Sequence, residues 1–129
     1  MPVKTVIDQE RDITEHIASG DVIDDEMFEA QREFYDNGPT SLQLWDMTEC
    51  SVTGVTIGGM RTFIEKASRQ GVARKNGKTA VVVNSQLQYG LARMAEAFAE
   101  FASIPFAFRV FRERDEAVVW LKEESKGEC

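Results

Sequence analysis

Histidine occurs once, cysteine twice and proline three times in the 129 residues. Each scarcity narrows what the chain can do. With a single histidine, His16, a two-histidine metal site is excluded. On an early strand, His16 lacks the partners that tune a catalytic imidazole, so its expected role is structural or simply exposed. The two cysteines, Cys50 and Cys129, form no CxxC. That argues against a disulfide scaffold and a cysteine-based zinc site, and points to a reducing compartment. The longest uninterrupted apolar run is Ala117 to Leu121, far short of the roughly 20 residues a membrane span needs. The opening MPVKTVIDQERD has no apolar segment of the signal-peptide kind. A cytoplasmic chain is expected.

Positive charge is also scarce. The formal net charge is −7. The first fifty residues hold 13 acidic and 3 basic side chains, whereas residues 51–112 hold 3 acidic and 9 basic. A nucleic-acid domain shows a high pI or a long basic face, and the acidic half opposes anionic lipid or DNA. The short basic segment Lys66, Arg69, Arg74, Lys75, Lys78 reads as a solvated helix end and loop.

What is present is an alternation of strands and helices in a chain of single-domain length, residues 1–129. Residues 3–10 and 13–19 read as two strands joined by a turn at Arg11-Asp12, with Ile13 and Ile17 on one face and Glu15 intruding between them. Gly20-Asp21 breaks the second strand, and Asp24 or Asp25 caps a helix that buries Met27, Ala30, Gln31 and Phe34 before Gly38-Pro39. Residues 41–47 (SLQLWDM) are apolar on both faces, as in a central strand. A polar stretch over 48–54 then leads to a helix capped by Thr56, with Met60, Phe63, Ile64 and Ala67 at helical spacing and Gly71 as its stop. TAVVVN at 79–84 is the strongest buried-strand signal. Leu87, Leu91, Met94, Phe98 and Phe101 form an apolar helical stripe. Residues 106–111 give a fifth strand, and Asp115 caps a last helix with Val118 and Leu121 inward. The order β-β-α-β-α-β-α-β-α predicts an α/β fold with a mixed, mostly parallel sheet, an antiparallel N-terminal edge and packed helices.

This order, together with the strings ITEHIASGDVIDDEMFEA, SLQLWDM, KTAVVVNSQ and FRVFRERDEAVVWL, resembles the STAS-like family, and within it the SpoIIAA-like branch named after the anti-sigma factor antagonist. The resemblance implies a small bacterial cytoplasmic module without enzymatic activity that binds a protein partner. In antagonist members a kinase phosphorylates a serine in an Asp-Ser-x-Gly-like segment at the start of the helix after the third strand. The corresponding stretch is Cys50-Ser51-Val52-Thr53-Gly54. It offers Ser51 and Thr53 but no Asp-Ser pair. The fold also resembles lipid carriers of the CRAL-TRIO type.

In open α/β sheets ligands sit beyond the C-terminal ends of the parallel strands. Asp46, Thr48, Ser51, Thr53, Thr56, Asn84, Ser85 and Arg112 are predicted to share that rim, as a partner or ligand site or as caps and turns. Free N–H groups at Thr56-Ile57-Gly58-Gly59 can receive an anion. Phosphorylation is conceivable at Ser51, Thr53 or Thr56, with Asp46 or Glu49 opposing it. Cys50 has acidic Glu49 beside it, a poor setting for a thiolate. Asp21, Asp24 and Asp25 lack calcium-loop spacing, and the Asp21–Glu29 acids read as a capped helix face. The phenylalanines Phe98, Phe101, Phe106, Phe108 and Phe111 read as core. A sharper reading makes Met60, Phe63, Met94 and Phe98 an apolar groove for a lipid-like ligand, although a chain of this size has little room for a several-hundred-Å³ pocket. No catalytic residue, cofactor or metal is predicted. The expected partner is a protein or a second copy, with exposure of Trp45, Trp120 or Phe111 as the sign of a dimer. A small apolar ligand is the alternative and a small enzyme the third.

Overall fold

The computed structural model describes residues 3–74 and 76–123. Its elements run β1 (Val3–Asp8), β2 (Ile13–Ile23), α1 (Asp24–Asp36), β3 (Leu42–Gly54), α2 (Ile57–Gln70), a 3-10 turn (Gly71–Arg74), β4 (Lys78–Val82), α3 (Gln86–Ala102), β5 (Ala107–Phe111) and α4 (Arg114–Lys122). The strands lie side by side in chain order. β1 is antiparallel to β2, and the later neighbours are parallel. When each new parallel strand is added on the same side of the last, crossovers of one hand put their helices on one face. So α1, α2 and α3 cover the face carrying Ala18, Trp45, Met47 and Val81, while α4 packs on Leu44, Ala80, Val82 and Phe111.

Several elements depart from expectation. β2 is not broken at Gly20-Asp21. Gly20 takes a positive φ of 68° between two register shifts, at Ile17/Ser19 and Asp21/Ile23, and the strand keeps pairing to Ile23. The stretch 48–54 is not a loop. It continues β3, paired with β2 as far as Ile23↔Gly54, whereas β4 reaches only Asp46. A two-stranded ribbon therefore projects past the end of β4. On α3 the inward face is Gln88, Ala92, Ala95 and Ala99; Leu87 points outward and Phe101 is 94% exposed. Small residues on that face let α3 pack closely; Leu91, Met94 and Phe98 of the predicted stripe flank it against the core, and only its ends, Leu87 and Phe101, are left outside. Trp45 and Phe111 are buried and Trp120 is half-buried, so the expected aromatic sign of a dimer is absent. Cys129 lies outside the described residues, as does Lys75.

The largest correction concerns Arg74. It is not a solvated loop cation but 2% exposed. Its Nε donates to the Thr40 carbonyl at 3.0 Å, one terminal nitrogen to the Ser41 (2.9 Å) and Lys78 (2.8 Å) carbonyls, and the other to Thr79 Oγ1 (2.9 Å), Gln43 Oε1 (3.4 Å) and Tyr35 Oη (3.5 Å). The Phe34 and Phe106 rings sit 5.1 and 4.5 Å from the guanidinium carbon. Burial lowers its pKa, partly offset by Tyr35, yet a guanidinium stays charged at neutral pH. Gly77 brings the chain back against this site: a Cβ there would run into the Ser41 carbonyl.

Arg74→Lys and Arg74→Met each leave several buried acceptors unpaired. The expected loss is about 3 kcal/mol, or roughly 10 °C in melting temperature for a chain of this size. Thermal denaturation of both variants checks this; an unchanged melting temperature for Arg74→Met would mean the network is dispensable.

Candidate functional site

The C-terminal end of the parallel strands gathers most of the sequence-predicted rim. Asp46 ends the stretch of β3 paired with β4. Its Oδ1 accepts from the Thr48 amide (3.0 Å) and hydroxyl (2.6 Å), and Arg114 Nε lies 3.8 Å from Oδ2. Arg114 also donates to Glu15 Oε2 at 2.6 Å, which accounts for the acid on β2. Asn84 donates to the Thr48 carbonyl (2.6 Å), while Gln88 accepts from the Asn84 amide and donates to the Cys50 carbonyl (2.7 Å). Ser85 caps α3 by accepting from the Gln88 amide. The ribbon is thus stitched to the start of α3. Arg112 stands apart from these bonds, over the Tyr89 ring at 4.1 Å.

The candidate phosphorylation positions separate. Ser51 and Thr53 sit on the ribbon, with their hydroxyls 3.1 Å apart. Neither occupies the start of the helix, where the resemblance puts the modified serine. That place belongs to Thr56, the N-cap of α2, whose Oγ1 accepts from the Gly59 amide at 2.8 Å. The anion predicted for this N-terminus is supplied from within the chain: Asp24 accepts from the Thr56 amide (3.0 Å) and hydroxyl (2.6 Å). Asp24 is the first residue of α1 and does not cap its own helix; there Glu26 accepts from the Ile23 amide. Gly59 is required beside it, because a Cβ would overlap the Asp24 carboxylate.

Beneath this knot lies an apolar pocket of about 90 Å³, partly open at the surface. Met60 and Phe63 line it as predicted, with Met47, Val52, Trp45 and Leu91 among the other walls. Met94 and Phe98 do not; they pack in the α2–α3 cluster beside it. Drug-sized ligands occupy several hundred Å³, so this volume suits only a few heavy atoms.

The groups that carry chemistry elsewhere are held inert. His16 is fully buried, stacked on Trp45 at 4.2 Å between ring centroids. Arg74 has no acceptor to offer, so Gln43 turns its carbonyl toward Arg74 and Thr79 and its amide toward His16 Nε2 at 2.9 Å. His16 Nε2 must accept, which leaves Nδ1–H to donate to Thr5 Oγ1 at 3.0 Å. Burial first, and Arg74 second, depress its pKa to about 3. Burial, aided by Asp46, pushes the Cys50 thiol up to about 11. Among the described residues no cluster of histidine, cysteine and carboxylate side chains is placed to hold a metal, and no helix is long and apolar enough to cross a membrane.

The architecture is that of an α/β domain with a five-stranded mixed sheet. More narrowly, it is a SpoIIAA-like fold. A crystal structure of an uncharacterized protein of the DUF3478 family with a SpoIIAA-like fold, from Shewanella loihica PV-4, superposes with a TM-score of 0.59 at 18% identity, covering 92% of this chain and 91% of that one. No protein-family profile and no curated protein matches the chain.

A buried neutral histidine makes stability pH-dependent. Below pH 6.5 the unfolded chain binds a proton that the folded chain refuses until about pH 3. Stability is therefore lost as pH falls through that window. Between pH 7 and 5, urea unfolding is expected to show the wild type losing about 2 kcal/mol more than His16→Gln, at about 1.4 kcal/mol per pH unit below 6.5. Parallel losses in both proteins would contradict this.

Proposed function

We propose that the chain is a non-enzymatic interaction module whose protein partner docks where the β2–β3 ribbon meets the N-termini of α2 and α3. One observation carries the reading. Ile23, Ile57 and Leu87 are each about half exposed, and all three belong to that end of the sheet, at the close of β2 and the starts of α2 and α3. Around them Asp46, Thr48, Asn84 and Gln88 pair with one another. A rim with satisfied polar groups and exposed aliphatic side chains is better suited to a protein surface than to a polar substrate. The inert states of His16 and Cys50 agree with a role that moves no protons. Phosphorylation of Ser51 or Thr53 would add charge to this same rim and weaken an apolar contact.

A photocrosslinking residue at Ile57 or Leu87 is expected to give a discrete adduct in the source cells. The same residue at exposed Val119 on α4 is expected to give none. Adducts at Val119 alone, or equally at all three positions, would refute the docking site.

The cavity favours a second reading, a carrier for an apolar ligand. Native mass spectrometry on protein purified without denaturation separates the two. A stoichiometric organic adduct supports the carrier, a phosphate-sized increment supports a regulated module, and the bare polypeptide mass leaves the carrier without support.

A further inference from the structure

The two edges of the sheet are treated differently. At the β5 edge the Val110 amide is taken by Glu96 of α3 at 3.0 Å, so a side chain blocks the position where another strand would bond. β1 is the other edge, and among the described residues no strand or side-chain acceptor takes its outer backbone. Its side chains are largely open as well: Val6 is 45% and Ile7 51% exposed. α4 packs chiefly on β3, β4 and β5 and reaches β2 only at its rim, through Arg114–Glu15 and Ile13. That leaves a shallow groove towards β1 in which Val6, Ile13, Leu42 and Val118 lie among the charged Asp8, Glu15 and Lys122. Uncapped edges are templates for strand addition.

We propose that the occupant of this edge is β1 of a second copy of the chain, in an antiparallel pair with Val6 opposite Val6 on a two-fold axis. The sequence VKTVID is self-complementary in that register. Lys4 of each copy faces Asp8 of the other, and Thr5 faces Ile7. Opposite charges directly across an antiparallel pair stabilise it and like charges oppose it. Two-fold symmetry forms each such pair twice. Asp8 already accepts from the Arg11 amide at 3.1 Å within the β1–β2 turn, and the Arg11 guanidinium stands 3.8 Å from its other oxygen; a carboxylate has acceptor capacity for Lys4 as well. Because the axis is perpendicular to the sheet, the faces left bare by α4 in the two copies become continuous. The assembly is then a ten-stranded sheet with one open trough, part apolar and part charged, between its two α4 helices.

Sedimentation velocity on the full chain across a concentration series tests this, with circular dichroism confirming that each variant folds. The wild type is expected to be a reversible dimer that high salt weakens. Lys4→Glu, at an exposed position, places an acid opposite each Asp8 and is expected to raise the dissociation constant at least tenfold, about 1.4 kcal/mol. Lys4→Glu combined with Asp8→Lys restores the opposite pairing and is expected to recover the dimer. A monomer at every concentration overturns the proposal. So does a dimer indifferent to Lys4→Glu, and so does a folded double variant that stays monomeric.

Discussion

A guanidinium buried without a carboxylate partner is the constraint on which the rest of this fold depends. It is tolerable because its N–H groups all meet oxygen and phenylalanine rings flank it. The acceptors come from different parts of the chain: Tyr35 from α1, Thr40 and Ser41 from the segment before β3, Gln43 from β3, Lys78 and Thr79 from β4. One side chain therefore gathers the N-terminal ends of two central strands. Its influence then travels outward by hydrogen-bond polarity. The cation orients the Gln43 amide, the amide selects the His16 tautomer, and His16 bonds Thr5 of β1. Four of the five strands are tied to the charge on Arg74: β3 and β4 directly, β2 through Gln43, and β1 through Gln43 and His16.

The two ends of the sheet are consequently unlike. At the end where the parallel strands begin, polar groups are buried and directed inward. At the end where they finish, β2 and β3 outrun β4 and the polar groups settle into short local bonds at the surface. The residues most often used for acid–base or thiol chemistry are displaced from useful titration, His16 downward and Cys50 upward, each chiefly by burial. Three exposed aliphatics, Ile23, Ile57 and Leu87, sit at the second end, among polar partners that already satisfy one another. That contrast, more than the fold likeness, is what directs a functional reading toward binding.

Legibility followed the periodicity of apolar residues and failed where polar residues were buried. The run TAVVVN, the cap at Thr56 and the order of elements were readable, because β-branched runs and capping hydroxyls act locally. On β2 the buried face is Thr14, His16 and Ala18, not the face of Ile13 and Ile17. A polar pair hidden by Thr40 and Gln43 leaves no apolar signature. Arg74 looked like surface because a lone cation in a basic segment almost always is; its partners are mostly backbone carbonyls and neutral side chains distant in sequence. The ribbon was missed because Thr48 to Gly54 is polar and ends on glycine, which reads as loop unless the pairing strand is known. The exposure of Phe101 had one available clue, the alanines at 92, 95 and 99 at helical spacing, which compete for the inward face.

Asp24 joins the two functional readings. It is the first residue of α1, it fills the N-terminus of α2 through Thr56, and with Gly59 it forms part of the cavity wall. A ligand in this pocket would lie against the Asp24 that bonds Thr56, so a bulky one would press on that contact. A protein seated on Ile57 would instead hold the start of α2 in place. Both events act on one contact with opposite sign, so tight binding of either would oppose the other.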